Sequence, residues 1–471
     1  MSKNIPSIKK NFAYKSLLTV SNYLMAFITF PYISRILGVE NIGLVNFVDN
    51  TINYFLLFAT MGVSILGVRE IARVKDKYEE RSRVFSNIIG VNILFTFLTL
   101  IIYGVIISVI QQFKEYSSLL YIGAAKILFS TFLIEWFYTG IESFKYITFR
   151  SITIKTLYVL SVFLCIKESD DYKLYFYLTV GVTLINALIN IFYARNFVKI
   201  QVSELFNLRY LKENIILGIY SIMTSMYLTF NVMYLGLITN NTQVGYYTTA
   251  FKLYSVILGF FSAFTNVMLP RMSALIANKE EGRFNELLNK SFSTMVLFSV
   301  PLILCSIILA PQIIYILSGP GFEGAIIPMR IIMPSILFVG IAQILAVQIL
   351  MPLEKDKILL NTSLIGASIS IIVNILVVKH LYSIGSSIVL LLSEFTVTAS
   401  YLLYLYTKTT IRFNWSNLFK SLFLAIPSAT LCYVVPQFIT NIYASFLISS
   451  FGAIAIWVGL NVIFGKQKGI V

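Results

Sequence analysis

Fourteen apolar stretches divide the chain, at about 12–34, 42–67, 84–110, 117–141, 149–167, 174–195, 214–237, 245–269, 291–311, 326–351, 358–379, 384–407, 418–437 and 444–464. Each is long enough to cross the ~30 Å hydrocarbon core of a bilayer as an α-helix. Lipid offers no partner to a backbone N–H or C=O, so an isolated crossing segment has to satisfy its own, and a helix does that. The pattern predicts an all-α polytopic membrane protein with about 14 transmembrane helices. The longest polar gaps, 68–83 and 270–290, are too short for a catalytic domain, which argues against an enzyme.

The charges in the gaps predict orientation. The N-terminal end and every second connection hold 28 of the 36 Lys and Arg. The opposite connections hold Arg35, Lys114, Lys167, Lys173, Arg330 and Lys379, while Lys126 and Lys252 fall inside apolar stretches. Loops rich in Lys and Arg stay cytoplasmic, so both termini are expected there. A missed or invented crossing would invert the alternation halfway along. The basic N-terminus (Lys3, Lys9, Lys10) precedes a long apolar stretch with no small-residue cleavage site, so that stretch is expected to be retained.

Composition narrows the class. A mean hydropathy of +0.82 and 12% charged residues exclude a soluble globular domain, which carries about 25% charged residues. The formal charge of +15 then reports topology and contact with anionic membrane lipids, and nucleic acid is not an expected partner. Cys165, Cys305 and Cys432 are far apart within apolar stretches and read as buried small hydrophobes. His380 is the single histidine, and no ligand cluster calls for a metal or any other cofactor. The chain has no G-x-x-x-x-G-K-[ST] run to cradle a nucleotide phosphate. Gly319-Pro320-Gly321-Phe322-Glu323-Gly324 matches the spacing of a dinucleotide fingerprint, but it follows a membrane helix and reads as a turn.

A self-comparison at an offset of 202 residues aligns Tyr32 with Tyr234, Gly43 with Gly245, Arg69 with Arg271, Glu79 with Glu281 and Arg81 with Arg283. At 212, Glu142 and Lys145 meet Glu354 and Lys357. These matches suggest a duplicated six-helix unit. Six crossings return to the starting side, so the repeats are parallel, as in two-lobed transporters that alternate access by rocking. The expected organisation is a six-helix lobe over 1–200, a second over 201–410, and two added helices over 411–471. The run 421–465 contains no ionisable Asp, Glu, Lys, Arg or His; it reads as a lipid-facing pair or a groove for a long isoprenoid tail.

Ionisable groups inside a bilayer are costly and mark function or structural pairing. Five lie well inside stretches: Asp49, Lys126, Glu135, Lys252 and Glu394. Asp49 and Lys252 sit at similar depth in equivalent stretches, so facing lobes would bring them together in one conformation. Lys126 and Glu135, nine residues apart, point from opposite sides of an ideal helix. Lys126 offers positive charge to a phosphate, and Glu135 offers a pairing partner to a neighbouring helix. Glu394 is a candidate proton or cation site. Asn46, Asp49, Asn50 and Asn53 follow i, i+3, i+4, i+7 spacing and form one polar face. That face is either glue between helices or a surface for sugar hydroxyls, to which amides offer both donors and acceptors. Pro31, Pro301, Pro334 and Pro427 mark expected kinks.

The runs Pro31-Tyr32-Ile33-Ser34-Arg35-Ile36-Leu37-Gly38, Asn41-Ile42-Gly43 and Val68-Arg69-Glu70-Ile71-Ala72-Arg73 resemble the N-terminal signature of Wzx-type O-antigen flippases. Trp136-Phe137-Tyr138-Thr139-Gly140-Ile141-Glu142, Val244-Gly245-Tyr246-Tyr247 and Leu269-Pro270-Arg271 resemble its later segments. The resemblance implies the MATE-like two-lobed (6+6) fold of the multidrug/oligosaccharidyl-lipid/polysaccharide exporter superfamily. It also implies the task, moving an undecaprenyl-pyrophosphate-linked oligosaccharide to the outer leaflet, coupled to a proton or sodium gradient, with a polysaccharide polymerase as a further partner. Lys126, Lys252 and Arg35 are the expected cationic path, Asp49, Glu394 and Glu135 the ion-coupling or gating carboxylates, and Asn46, Asn50 and Asn53 the sugar contacts. A MATE-type drug antiporter and a lipid II flippase are the alternatives that keep the fold; a lipid-linked-sugar polymerase or ligase is the alternative that does not.

Overall fold

The computed structural model of the protein describes residues 8–465, which fall into two compact units divided between Leu237 and Ile238. Lys3, Lys466 and Lys468 of the basic termini, and the side chain of Lys9, lie outside the described residues. Among the described residues there is no β-strand.

The first unit holds α1 (Ile8–Thr60), α2 (Val63–Arg73), α3 (Tyr78–Val109), α4 (Gln111–Lys114), α5 (Ser117–Ser130), α6 (Glu135–Gly140), α7 (Phe144–Cys165), α8 (Tyr172–Ala194), α9 (Val202–Leu205) and α10 (Leu211–Ile238, up to Leu237). α1 holds the expected stretch 12–34 and most of 42–67, whose end crosses into α2; the two are divided at Gly38, whose φ of 72° and ψ of 172° suit glycine because it has no Cβ. α1 ends at Thr60, and the chain turns through Met61 (φ 38°) into α2. α2 buries Val63, Leu66, Glu70 and Ile71 against α6. A Cβ on Gly67 would stand 2.3 Å from the Trp136 ring, so glycine permits that approach.

The fourth expected stretch is interrupted. Ile134, left-handed at φ 38°, separates α5 from α6. A broken helix leaves backbone groups that need partners, and α8 supplies one. The Asn190 Nδ2 donates to the Leu133 carbonyl, and the Tyr138 hydroxyl donates to the Asn190 carbonyl at 2.5 Å.

The second unit holds α11 (Asn241–Ala277), α12 (Glu281–Ile308), α13 (Ala310–Ser318), α14 (Ile326–Ile332), α15 (Ser335–Gln343), α16 (Asp356–Val373), α17 (Lys379–Lys408), α18 (Ser416–Phe438) and α19 (Ile442–Gly465). Asn240 caps α11, its side-chain oxygen accepting the Gln243 N–H at 3.1 Å. Pro334 stands at a 41° bend between Glu323–Ile332 and Ser335–Leu350, whose last turns, Ile344–Leu350, are π-helical. The Gly-Pro-Gly run is a turn, with Gly319 and Gly321 at φ 84° and 87°. α18 packs on α12 and on α19, where the Ser428 hydroxyl donates to the Ala453 carbonyl at 3.0 Å.

Among the described residues ten helices are long and apolar enough to cross a membrane, or eleven if the bent pair is one crossing, against the fourteen expected. Much of the difference is continuity. Leu17–Thr60 and Asp356–Lys408 have 44 and 53 residues, about 66 Å or more at 1.5 Å per residue, twice the hydrocarbon core. Each contains a non-helical residue, Gly38 or Tyr382, between two of the expected stretches.

Glu142 and Glu354, matched by the 212-residue offset, are both left-handed, at φ 60° and 55°. Both helix ends close alike, with Ser143 N–H donating to Tyr138 and Lys355 N–H to Leu350. This is the bonding of a Schellman turn built twice on glutamate. The cysteines correct one expectation: Cys165 is exposed, Cys305 is half-buried, and Cys432 is buried in a cluster against which Cys305 packs. Helix packing brings together what the sequence keeps far apart.

Candidate substrate and ion site

The second half of α1 has two unlike faces. Ile42, Val45, Val48, Ile52, Phe55 and Ala59 are buried, while Asn46, Asp49, Asn50 and Asn53 are half-exposed on the other side. The amides are held by their own helix. Asn46 Nδ2 donates to the Ile42 carbonyl at 2.8 Å, Asn50 Nδ2 to the Asn46 carbonyl at 2.9 Å, and Asn53 Nδ2 to Asp49 Oδ2 at 3.1 Å. Such bonds orient the stripe without spending it on a neighbouring helix. One turn past Asn50 the stripe gives way to Tyr54 and Phe58, which with Ile102, Ile106 and Met233 line an apolar crevice of about 310 Å³.

α5 brings Lys126 to this stripe. Its Nζ donates to Asp49 Oδ1 in an ion pair, with side-chain exposures of 11% for Lys126 and 32% for Asp49. The Tyr158 and Tyr175 side chains, on α7 and α8, lie near Asp49. The sequence matched Asp49 with Lys252 by depth; within its own unit Asp49 is engaged by Lys126. Depth is legible along a chain, but the rotation of α5 against α1 is not.

Glu135 has a different partner. Arg150 Nη2 donates to Glu135 Oε1 at 2.5 Å, and Arg150 Nη1 donates to Asn190 Oδ1. The Arg150 side chain is 4% exposed, and its guanidinium lies 5.6 Å from the centre of the Tyr146 ring. Its Nε is buried with no hydrogen-bond partner. Lys155 follows on α7 and donates to Asn22 Oδ1 of α1. Sequence reasoning missed both cations. Arg150 and Lys155 stand inside the stretch 149–167 but near its start, where a count by connections takes them with the adjoining basic loop. Their position after residue 149 was the available signal.

In the second unit, Glu394 is 2% exposed and accepts the Tyr254 hydroxyl at 3.0 Å on Oε1. Lys252 lies half-buried on α11. Arg35, in the first unit, is exposed, and its Nη1 donates to the Pro31 carbonyl at 2.6 Å. Outside the apolar stretches, Asp171 accepts the Lys167 and Glu168 backbone N–H groups at 2.7 and 2.9 Å. Those bonds hold its carboxyl below the ordinary range. At the end of the unit carrying the basic connections, the hydrogen bond to Glu142 at 2.8 Å raises the Lys75 ammonium. Among the described residues no group of three or more His, Cys, Asp or Glu is placed to hold a metal ion.

This arrangement has no nucleophile poised on a base. It offers a cation paired with a partly exposed carboxylate on a polar stripe, next to an apolar crevice. Comparison with solved structures places the fold. The chain is similar to a structure described as "Lipid II flippase MurJ, inward closed conformation", at 15% identity and a TM-score of 0.80, covering 96% of this chain and 99% of that one. It is also similar to an outward-facing MATE family transporter of the MOP superfamily, at 15% identity and a TM-score of 0.55, covering 85% and 95%. The architecture is therefore MATE-like. Among curated relatives, the "Putative O-antigen transporter" of Escherichia coli K12 is 24% identical over 408 residues, covering 86% of this chain and 98% of that protein. The family model described as "Polysaccharide biosynthesis protein" matches residues 8–276. That match takes in more than half of the chain, including every helix that carries the Lys126–Asp49 and Arg150–Glu135 pairs, and the chain belongs to the polysaccharide biosynthesis protein family.

Proposed function

We propose that this protein is a flippase that carries an undecaprenyl-pyrophosphate-linked oligosaccharide across the bacterial cytoplasmic membrane by ion-coupled alternating access. The observation that carries the proposal is the Lys126–Asp49 pair on the polar stripe of α1, in a chain of the polysaccharide biosynthesis protein family. A sugar-diphosphate head needs a cation and hydroxyl partners on its way through the bilayer, while its lipid tail stays in apolar surroundings. Lys126 supplies the charge, as a compact ammonium suited to phosphate oxygens. Asn46, Asn50 and Asn53 supply amide oxygens, and Lys252 and Arg35 are further stations for the diphosphate. Asp49 exchanges the driving ion, a proton or sodium, with Glu135 and Glu394 as gating carboxylates. The name of the Escherichia coli relative supports an O-antigen type of cargo, and a polysaccharide polymerase is the natural recipient.

The test follows the lipid-linked oligosaccharide in cells with a label confined to the outer leaflet. Deleting the gene is expected to trap the precursor inside, the intact gene to restore exposure, and Lys126→Ala to restore less than about a tenth of it, a loss of at least 1.4 kcal/mol in the rate-limiting step. Normal exposure in a deletion strain that encodes no other flippase rules the proposal out.

A further inference from the structure

Lys126 and Asp49 form a pair that is only partly shut off from water: the ammonium is 11% exposed and the carboxylate 32%. A diphosphate that approaches Lys126 finds its positive charge already engaged. We propose that the substrate diphosphate and the Asp49 carboxylate are alternative partners of Lys126. When the lipid binds, Lys126 passes from Asp49 to the diphosphate, and Asp49, left without a cation, takes up a proton from water. This rests on the flippase function proposed above and adds the means by which cargo and ion are coupled.

The surroundings of Asp49 explain the exchange. On its own helix it meets the amides of Asn46, Asn50 and Asn53, which are neutral, and Asn53 donates to Oδ2. α5 presents Lys126, while α7 and α8 present the Tyr158 and Tyr175 hydroxyls, also neutral. α3 brings Tyr103 to the opposite, buried face, where its hydroxyl donates to the Leu120 carbonyl at 2.7 Å. The 3-10 turn Ser169–Asp171 meets α1 at Asn41, two turns away, with its Asp171 carboxylate on backbone amides. Among these groups Lys126 is the cation in contact with Asp49. A carboxylate that loses its cation inside an apolar span favours its neutral form, and the hydroxyl and amide neighbours can bond the acid that results. The step balances simply: the carboxylate gains one proton, a hydronium becomes water, and no bond in the lipid changes. Release of the lipid reverses it, returning Lys126 to Asp49 and the proton to water.

The experiment is calorimetric titration of the purified full-length protein in nanodiscs with undecaprenyl diphosphate, repeated in buffers of different ionisation heat. The intact protein is expected to take up about one proton per lipid at neutral pH, so its affinity falls up to about tenfold per pH unit on the alkaline side. Asp49→Asn is expected to bind the same lipid without proton uptake and without pH dependence. Lys126→Gln is expected to bind at least tenfold more weakly, while undecaprenol, which lacks phosphate, causes no proton uptake in any variant. Thermal unfolding of each variant separates a lost site from a lost fold, and the Asp49→Asn, Lys126→Gln double variant keeps the test open if a single variant unfolds. Lipid binding without proton uptake, uptake that persists in Asp49→Asn, or sodium linkage in place of protons each overturns the exchange while leaving the flippase standing. No binding of the diphosphate lipid by the intact protein overturns both.

Discussion

The two units treat a carboxylate inside an apolar helix differently. In the first, Asp49 is a third exposed and faces a lysine from another helix. In the second, Glu394 is 2% exposed and accepts the Tyr254 hydroxyl. A partly wet ion pair can trade partners at low cost, because water and an incoming anion both reach it. A dry carboxylate bonded to a buried tyrosine resists exchange, since each step strands a polar group. The first unit also repeats its device at another level, with Arg150 on Glu135, but there the arginine is 4% exposed. On the exchange proposed above, the first pair trades its cation, while the second keeps a cation that is out of water even though its carboxylate is 54% exposed.

Removing the holding cation should have the largest effect on stability. Arg150→Met takes the cation from Glu135 and leaves Asn190 Oδ1 with the Tyr146 hydroxyl alone, next to the broken helix. Because Glu135 is half in water, the cost is expected at the low end for a broken buried pair, about 3 kcal/mol, read as a fall in the unfolding midpoint. An unchanged midpoint would place Arg150 with the exchangeable cations instead. Next, the charge-swapped variant Asp49→Lys with Lys126→Asp is expected to fold within about 1 kcal/mol of the intact protein. Outer-leaflet exposure of the oligosaccharide should nevertheless stay low, because the ammonium has moved from α5 to α1. If the swap restores exposure, the pair serves only as glue. Glu394→Leu is expected to cost about 1–2 kcal/mol by depriving the Tyr254 hydroxyl of its acceptor, and Glu394→Gln much less. Equal costs would mean that the charge of Glu394, rather than its bond to Tyr254, matters for stability.

The smallest effect lies outside the apolar stretches. Asp171 is held below the ordinary carboxylate range by two backbone N–H groups. A depressed acid contributes stability that is present above its unfolded value and is lost as pH falls through its folded one. The 3-10 turn Ser169–Asp171 should therefore keep its structure at neutral and mildly acidic pH and loosen only in stronger acid. Amide signals of Lys167 and Glu168 followed by NMR across an acid titration would report it, and loosening at neutral pH would contradict it.

The Cys305 and Arg150 positions show how far a linear reading reaches. Hydropathy is a sum along the chain, so it locates apolar helices well and assigns a charge near a boundary to whichever side is nearer. Arg150 lies at such a boundary, and its burial depends on α8 and the break at Ile134, neither visible in a window. Cys305 and Cys432 are distant in sequence and neighbours only because α18 packs on α12. The polar stripe of α1 was legible because helical spacing alone places Asn46, Asp49, Asn50 and Asn53 on one face.

The sequence by itself determined the all-helical membrane character of this protein, its family signature and the intramembrane charges Asp49, Lys126, Glu135, Lys252 and Glu394. Those follow from the length of apolar runs, the cost of unpaired backbone in lipid, and the order of short motifs. Only the tertiary structure decided that Asp49 meets Lys126, that Glu135 meets Arg150, and that the expected fourth helix breaks at Ile134. Each of these depends on how helices rotate and pack against one another. At 100° per residue, a shift of one position turns a side chain from one neighbour to another.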